Sequence, residues 1–269
     1  MGEPIMAGSL GVTILGCGGS AGVPAAGNYW GACDPNEPRN FRSRCSIVVQ
    51  SDQTTLIVDT GPEFRMQVNR ENINTVDAVL YSHYHGDHVD GIADLRTFRF
   101  RNKALVPIYA NDETLEVFDR NFPHFVNAGD SIYPQILEPR LIEKNAYNKP
   151  MRVGDIDFIP FEQDHTTCKT LGYRFGDFAY SVDVLKIDEA GLRTLKGVKT
   201  WVVDSAGYKH DDNLVHINLK NIYEYNKIIG AQRVILTSLT LAMDYQTLLS
   251  ELPDGYEPAY DGLRLTAAR

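Results

Sequence analysis

Apolar residues in this chain gather in short runs, many of them β-branched, broken by polar or glycine-containing turns. Residues 10–15, 47–50, 55–59, 76–81 and 106–110 read as strands in the first half. Residues 151–153, 156–161, 171–175, 178–181, 200–203 and 234–236 do so in the second. Runs this short fit strands better than helices, which need a longer periodic stripe. Three pairs of runs are split by short turns with Ser51-Asp52-Gln53, Gly154-Asp155 or Gly176-Asp177, and such turns mark hairpins. Helical spacing appears at 62–69, where Pro62 suits a first turn, and at 92–100, 112–121, 188–195, 215–229 and 243–251. The order is strands with helices inserted at intervals, given twice over. Two mixed β-sheets face to face with helices outside, an α/β (αββα) sandwich, satisfy it. No linker rich in Gly, Pro or Ser divides the chain, so residues 1–269 are expected to form a single domain. Residues 122–148, with Pro123, Pro134 and Pro139, fit neither period and are expected to form a strand pair or a flap over a site.

One stretch adds chemistry to this pattern. Directly after the run 76–81 comes Ser82-His83-Tyr84-His85-Gly86-Asp87-His88-Val89-Asp90-Gly91. Three of the chain's seven histidines and one aspartate fall within six positions. Imidazole and carboxylate are the ligands that divalent transition metals take. At a strand end His83 and His85 would point the same way, and Gly86 would let the chain turn. Asp87 and His88 would then reach another side, so that each pair holds its own ion. Asp90 is expected to cap a following helix. Further along, His165 and Asp183 each lie just past a predicted strand, and the two oxygens of Asp183 could bridge two cations. Asp59, also strand-terminal, suits the orienting of a metal-bound histidine, and Asp204 is a candidate for a similar supporting role.

Composition narrows the picture. The net charge of −9 argues against a general nucleic-acid surface, although bound cations would still admit a phosphate-bearing substrate. The four cysteines form no Cys-x-x-Cys pair and are expected as free thiols. No apolar run is long enough to span a membrane, and residues 1–9 lack the features of a signal peptide. A cytoplasmic protein, with no membrane partner, is expected. A homodimer is compatible with the sequence. The glycine-rich stretch Gly16–Pro24 is neither a Walker motif nor a dinucleotide fingerprint, and is expected to form a loop on the rim of the metal site.

The His-x-His-x-Asp-His pattern after an apolar strand resembles the metallo-β-lactamase superfamily. At finer grain the chain is similar to the branch that includes the phosphoribosyl 1,2-cyclic phosphate phosphodiesterase. The shared features are Gly16–Pro24, Arg44-Cys45-Ser46, Leu56-Ile57-Val58-Asp59-Thr60-Gly61, the metal motif, Tyr180-Ser181-Val182-Asp183, and His216 before a helix. The resemblance implies one ion held by His83, His85, His165 and Asp183. A second would be held by Asp87, His88, Asp183 and a further histidine near the C-terminus. That histidine is absent: Ser238 stands in the Leu236-Thr237-Ser238 run where it is expected. The second ion should therefore bind more weakly, with one or two manganese or zinc ions per chain. The cysteine-rich zinc loop of that phosphodiesterase is also missing, so no structural zinc is expected.

The implied activity is metal-dependent hydrolysis of a small cyclic phosphate or nucleotide. Asp87 and His216 are the candidate catalytic residues. His216 would protonate the leaving oxygen or bind the phosphoryl group, with Ser238 as a further substrate contact. His124 and His210 read as surface histidines. The rivals are a tRNA 3′-processing nuclease, which needs a basic arm not seen here, a thioester or lactam hydrolase, and a catalytically impaired protein that binds a nucleotide or phosphate.

Overall fold

The structure is a computed structural model that describes residues 8–127, 129 and 132–269. The N-terminal residues 1–7, and residues 128, 130 and 131 of the 122–148 segment, lie outside the described residues. Strands β1 (Ser9–Gly16), β2 (Ser46–Gln50), β3 (Thr55–Val58), β4 (Ala78–Leu80), β5 (Val106–Ala110) and β6 (Leu137–Leu141) lie side by side in chain order. The second sheet takes β7 (Met151–Val153), β8 (Ile156–Asp164), β9 (Lys169–Phe175), β10 (Phe178–Ser181), β11 (Lys186–Ile187), β12 (Thr200–Asp204), β13 (Arg233–Thr237) and β14 (Tyr256–Pro258). The last strand, β15 (Arg264–Ala268), crosses back to the first sheet and pairs antiparallel with β1.

Period-two alternation builds the layers. On β2, Ile47 and Val49 join the core between the sheets, whereas Val48 joins the cluster under the outer helices. On β3, Leu56 and Val58 divide from Ile57 in the same way, and on β4, Ala78 and Leu80 divide from Val79. The outer layer of the first sheet carries α1 (Phe64–Arg70), the short α2 (Gly86–Val89), α3 (Leu95–Asn102), α4 (Asp112–Asn121) and α5 (Pro123–Val126). Phe64, Leu95, Phe98, Phe118 and Phe125 fill that cluster. Helices α6 (Glu189–Leu195), α7 (Leu219–Ile229) and α8 (Tyr245–Glu251) place Leu195, Ile222 and Leu248 in the core of the second sheet. The two mixed sheets and their helices form the expected sandwich.

Three expectations need correction. The described residues of the 122–148 segment supply α5 and the edge strand β6, which pairs parallel with β5, in place of a strand pair. Strand β4 stops at Leu80, so His83 and His85 sit in the loop after it rather than on the strand. Asp90 ends α2 instead of opening the next helix, and its carboxylate lies against Gly86.

Strand direction positions the site. Strands β3 and β4 run parallel, as do β10, β12 and β13. Strand β8 is antiparallel to β9, which is antiparallel to β10, so β8 and β10 share a direction. The carboxyl ends of these strands therefore collect the residues that follow them along one edge of each sheet, where α/β folds place their ligands. Hydrogen bonds join the sheets there. Tyr173 Oη donates to the Tyr81 carbonyl at 2.7 Å, and the Leu171 amide donates to the Ser82 carbonyl at 2.9 Å.

Candidate metal centre

The strand ends deliver Asp59 from β3, the histidine loop from β4, His165 from β8, Asp183 from β10 and Asp204 from β12. Asp59, Asp183 and Ser238 have left-handed backbones, with φ of 63°, 45° and 56°. Non-glycine residues adopt this conformation at a cost, and it is concentrated at functional turns. Here it turns side chains back across the strand ends.

The expected ligands divide into two lobes around Asp183. One atom from each of His83, His85, His165 and Asp183 falls within 4.8 Å of all the others, and the same holds for Asp87, His88 and Asp183. Asp183 Oδ2 lies 3.5 Å from both His83 Nε2 and His165 Nε2. Its other oxygen, Oδ1, lies 3.5 Å from His88 Nε2, which is 3.4 Å from Asp87 Oδ2. These separations are too long for good hydrogen bonds. They equal the ligand-to-ligand edge, about 3.4 Å, of a tetrahedron with zinc-type bonds of about 2.1 Å.

Hydrogen bonding aims the ring nitrogens. His165 Nδ1 lies 3.0 Å from the Val215 carbonyl and must carry a proton there, which turns Nε2 toward Asp183. His88 Nδ1 lies 2.8 Å from Asp59 Oδ2. The supporting role read for Asp59 thus has a contact in the structure. His83 Nε2 is buried with no hydrogen-bond partner. A buried orphan nitrogen is costly unless something outside the chain satisfies it. The donor set fits a divalent cation in the first lobe and offers a second lobe with one fewer protein ligand.

Charge differs between the lobes. Burial, and then neighbouring His88, push the His83 imidazole well below its ordinary value. Burial opposes the charged form of His88 too, but Asp183 and Asp59 outweigh it and hold that ring well above the histidine range. Asp183, although buried, is held well below the carboxylate range by His88 and His83.

A third grouping, Asp183, Asp204 and His216, adjoins these lobes. His216 Nδ1 lies 2.8 Å from Asp204 Oδ2, and the same oxygen accepts the Val184 amide at 2.9 Å. His216 and His165 ring centres are 5.0 Å apart. His216 is only partly buried and lies just before α7. Ser238 is buried, with its hydroxyl 3.5 Å from Cys45 Sγ. That burial gives no support to its reading as a substrate contact. Cys17, Cys33, Cys45 and Cys168 are free and buried. His124 and His210 are exposed and stand apart from the metal-ligand groupings.

The amides of the glycine stretch are tied into the surrounding fold. The Gly18, Gly19 and Gly22 amides donate to Ser43, Leu239 and Gly19 carbonyls rather than opening toward a ligand. Gly16 is required because a Cβ there would meet the Arg44 carbonyl oxygen. Sequence reasoning missed Ser82 and the Val215 carbonyl. A hydroxyl directly before the first histidine was the available signal for the former, whereas a backbone carbonyl leaves none.

Strand-end ligands from two face-to-face sheets define a metallo-β-lactamase-fold hydrolase. Residues 54–237 match the family described as Beta-lactamase superfamily domain, and the chain belongs to that family. A solved structure described as a new diphosphatase from the PhnP family superposes with a TM-score of 0.84 at 29% identity, covering 96% of this chain and 97% of that one. Zinc-bound PqqB from Methylobacterium extorquens shares the fold, with a TM-score of 0.71 at 19% identity over 95% of this chain and 99% of that one. Among curated relatives, an octanoyltransferase of Porphyromonas gingivalis is 29% identical over 252 residues, 93% of this chain and 50% of that protein. A ribonuclease Z of Methanopyrus kandleri is 26% identical over 146 residues, 51% of this chain and 45% of that protein. The chain thus spans about half the length of these curated relatives. No helix among the described residues is long and apolar enough to cross a membrane.

Proposed function

We propose that this chain is a metal-dependent phosphodiesterase acting on a small phosphodiester, either a cyclic phosphate or a nucleotide. The observation that carries this reading is His216, held through Nδ1 by Asp204, set beside two groups of candidate metal ligands joined by Asp183. Divalent ions in the lobes would supply Lewis acidity and a water activated near neutral pH. His83, His85, His165 and Asp183 would hold the first ion, and Asp87, His88 and Asp183 the second. Asp204 fixes the His216 proton at Nδ1 and supports the charged ring, which leaves the Nε2 proton for the departing alkoxide. The similarity to the PhnP-family diphosphatase supports phosphoryl chemistry. The net charge of −9 weighs against a long nucleic-acid substrate.

A relative named octanoyltransferase makes an octanoyl compound a suitable probe for one rival, the thioester hydrolase. Turnover of bis-p-nitrophenyl phosphate, 2′,3′-cyclic AMP and an octanoyl thioester should be compared with manganese or zinc supplied. Diester turnover that is lost in His85→Ala is expected. His216→Ala should cost roughly 100-fold on the cyclic nucleotide, whose alkoxide needs a proton, and far less on the acidic p-nitrophenol leaving group. Thioester turnover without diester turnover would sink the proposal.

A further inference from the structure

We infer that Ser82 is a positioning residue that sets the tautomer of His83 and ties both metal lobes to one carboxylate. The inference rests on the reading of the histidine cluster as a metal centre. Ser82 is fully buried, and its backbone is held on both sides: the amide donates to Asp59 Oδ1 at 2.7 Å, and the carbonyl accepts the Leu171 amide. The side chain then has few choices. Its hydroxyl lies 2.7 Å from Asp59 Oδ2 and 3.0 Å from His83 Nδ1. The serine hydroxyl donates to Asp59 Oδ2, so its single proton points at Asp59. The serine oxygen is left with lone pairs alone, and His83 Nδ1 must donate to it. That leaves Nε2 of His83 bare, and Nε2 is the buried nitrogen that lacks a partner.

Asp59 Oδ2 also accepts His88 Nδ1, from the other lobe. One carboxylate therefore orders two histidines by different routes, His88 directly and His83 through Ser82. The rings themselves are neighbours, with centres 4.4 Å apart. Removing the hydroxyl breaks only one route. With Ser82 lost, His83 Nδ1 has nothing to donate to, and the alternative tautomer places its proton on Nε2, facing Asp183 Oδ2. An incoming ion would then have to displace that proton.

The tests use the full chain. In the metal-free protein, the nitrogen-15 signature of His83 should report a proton on Nδ1. Ser82→Ala should move it to Nε2, and Ser82→Thr, which keeps the hydroxyl, should preserve the original form. Calorimetric titration with zinc should show binding in the four-residue lobe weakened about 10- to 100-fold in Ser82→Ala, the range found for lost outer partners of metal-bound histidines. The Asp87–His88 lobe should change only a few-fold, whereas Asp59→Asn should weaken both. A wild-type chain that binds no zinc would defeat the metal reading, and the metal-free tautomer would still decide the role of Ser82. An unchanged His83 signature in Ser82→Ala, or equal weakening of both lobes, would overturn the inference.

Discussion

His216 is the residue whose surroundings speak most directly to its chemistry. Burial disfavours its charged ring, but Asp204, and then Asp183 and Asp87, raise it to about 9. Asp204 is itself fully buried and held by the Val184 and Ala206 amides, so it cannot swing away. A folded value above the unfolded value of about 6.5 means that the charged pair stabilises the fold fully below that pH. The contribution is then lost as pH rises through about 9. In the metal-free protein, an NMR titration should show a His216 midpoint near 9. Asp204→Asn should drop it toward or below the ordinary histidine value, because burial would remain and the nearest negative charge would not. Ser238 poses the opposite question, what a missing side chain costs. Its φ of 56° is one that histidine tolerates better than most residues. An outer partner alone changes metal affinity by about tenfold or more. Ser238→His should therefore tighten the second ion by at least that factor in calorimetry, with little effect on the first.

At the scale of elements, α2 carries Asp87 and His88, and its placement depends on close backbone approach. The Thr60 amide donates to the His88 carbonyl and the Gly91 amide to the Thr60 carbonyl, each at 2.8 Å. A Cβ on Gly91 would fall 2.2 Å from the Gly61 oxygen and 2.8 Å from Phe64 Cβ, both fixed parts of the fold. Gly91→Ala should lower unfolding free energy by about 1–3 kcal/mol in denaturant titration, the usual cost of overpacking. It should also weaken the second lobe more than the first. Much of this arrangement was legible in the sequence, because the histidine hexapeptide is local and the strand runs show which faces are buried. His165 and Asp183 were readable for a similar reason: each follows a strand whose end is visible in the pattern. What escaped notice depends on distant pairing. The sequence Arg264–Ala268 has little β-branched content and becomes strand β15 only because β1, at the other end of the chain, presents an edge to it. Likewise Leu137–Leu141, with Pro139 inside it, becomes a strand because it lies at the sheet edge, where a missing amide is tolerated.

Across the whole molecule, the candidate centre bridges the two sheets. The first sheet and its loops bring Asp59, His83, His85, Asp87 and His88, and the second brings His165, Asp183, Asp204 and His216. An ion held in either lobe therefore binds across the seam and favours the folded chain over the unfolded one. At a free concentration one hundred times the dissociation constant this adds about 2.7 kcal/mol. For a chain of this size that corresponds to roughly 5–10 °C in Tm, which chelation should remove in a calorimetric scan. The two lobes should differ in what loading releases. His83 is kept neutral by burial and its cationic neighbour, so its nitrogen is already available. His88 is held in the charged form by Asp183 and Asp59, and a metal must displace its Nε2 proton. Ligands that must shed protons make affinity pH-dependent. Titrations in buffers of different ionisation enthalpy should show little proton release with the first ion and about one proton with the second. The second affinity should rise as pH increases through neutrality, while the first stays nearly flat. Equal proton release from both steps would mean that the charge on His88 does not distinguish the lobes.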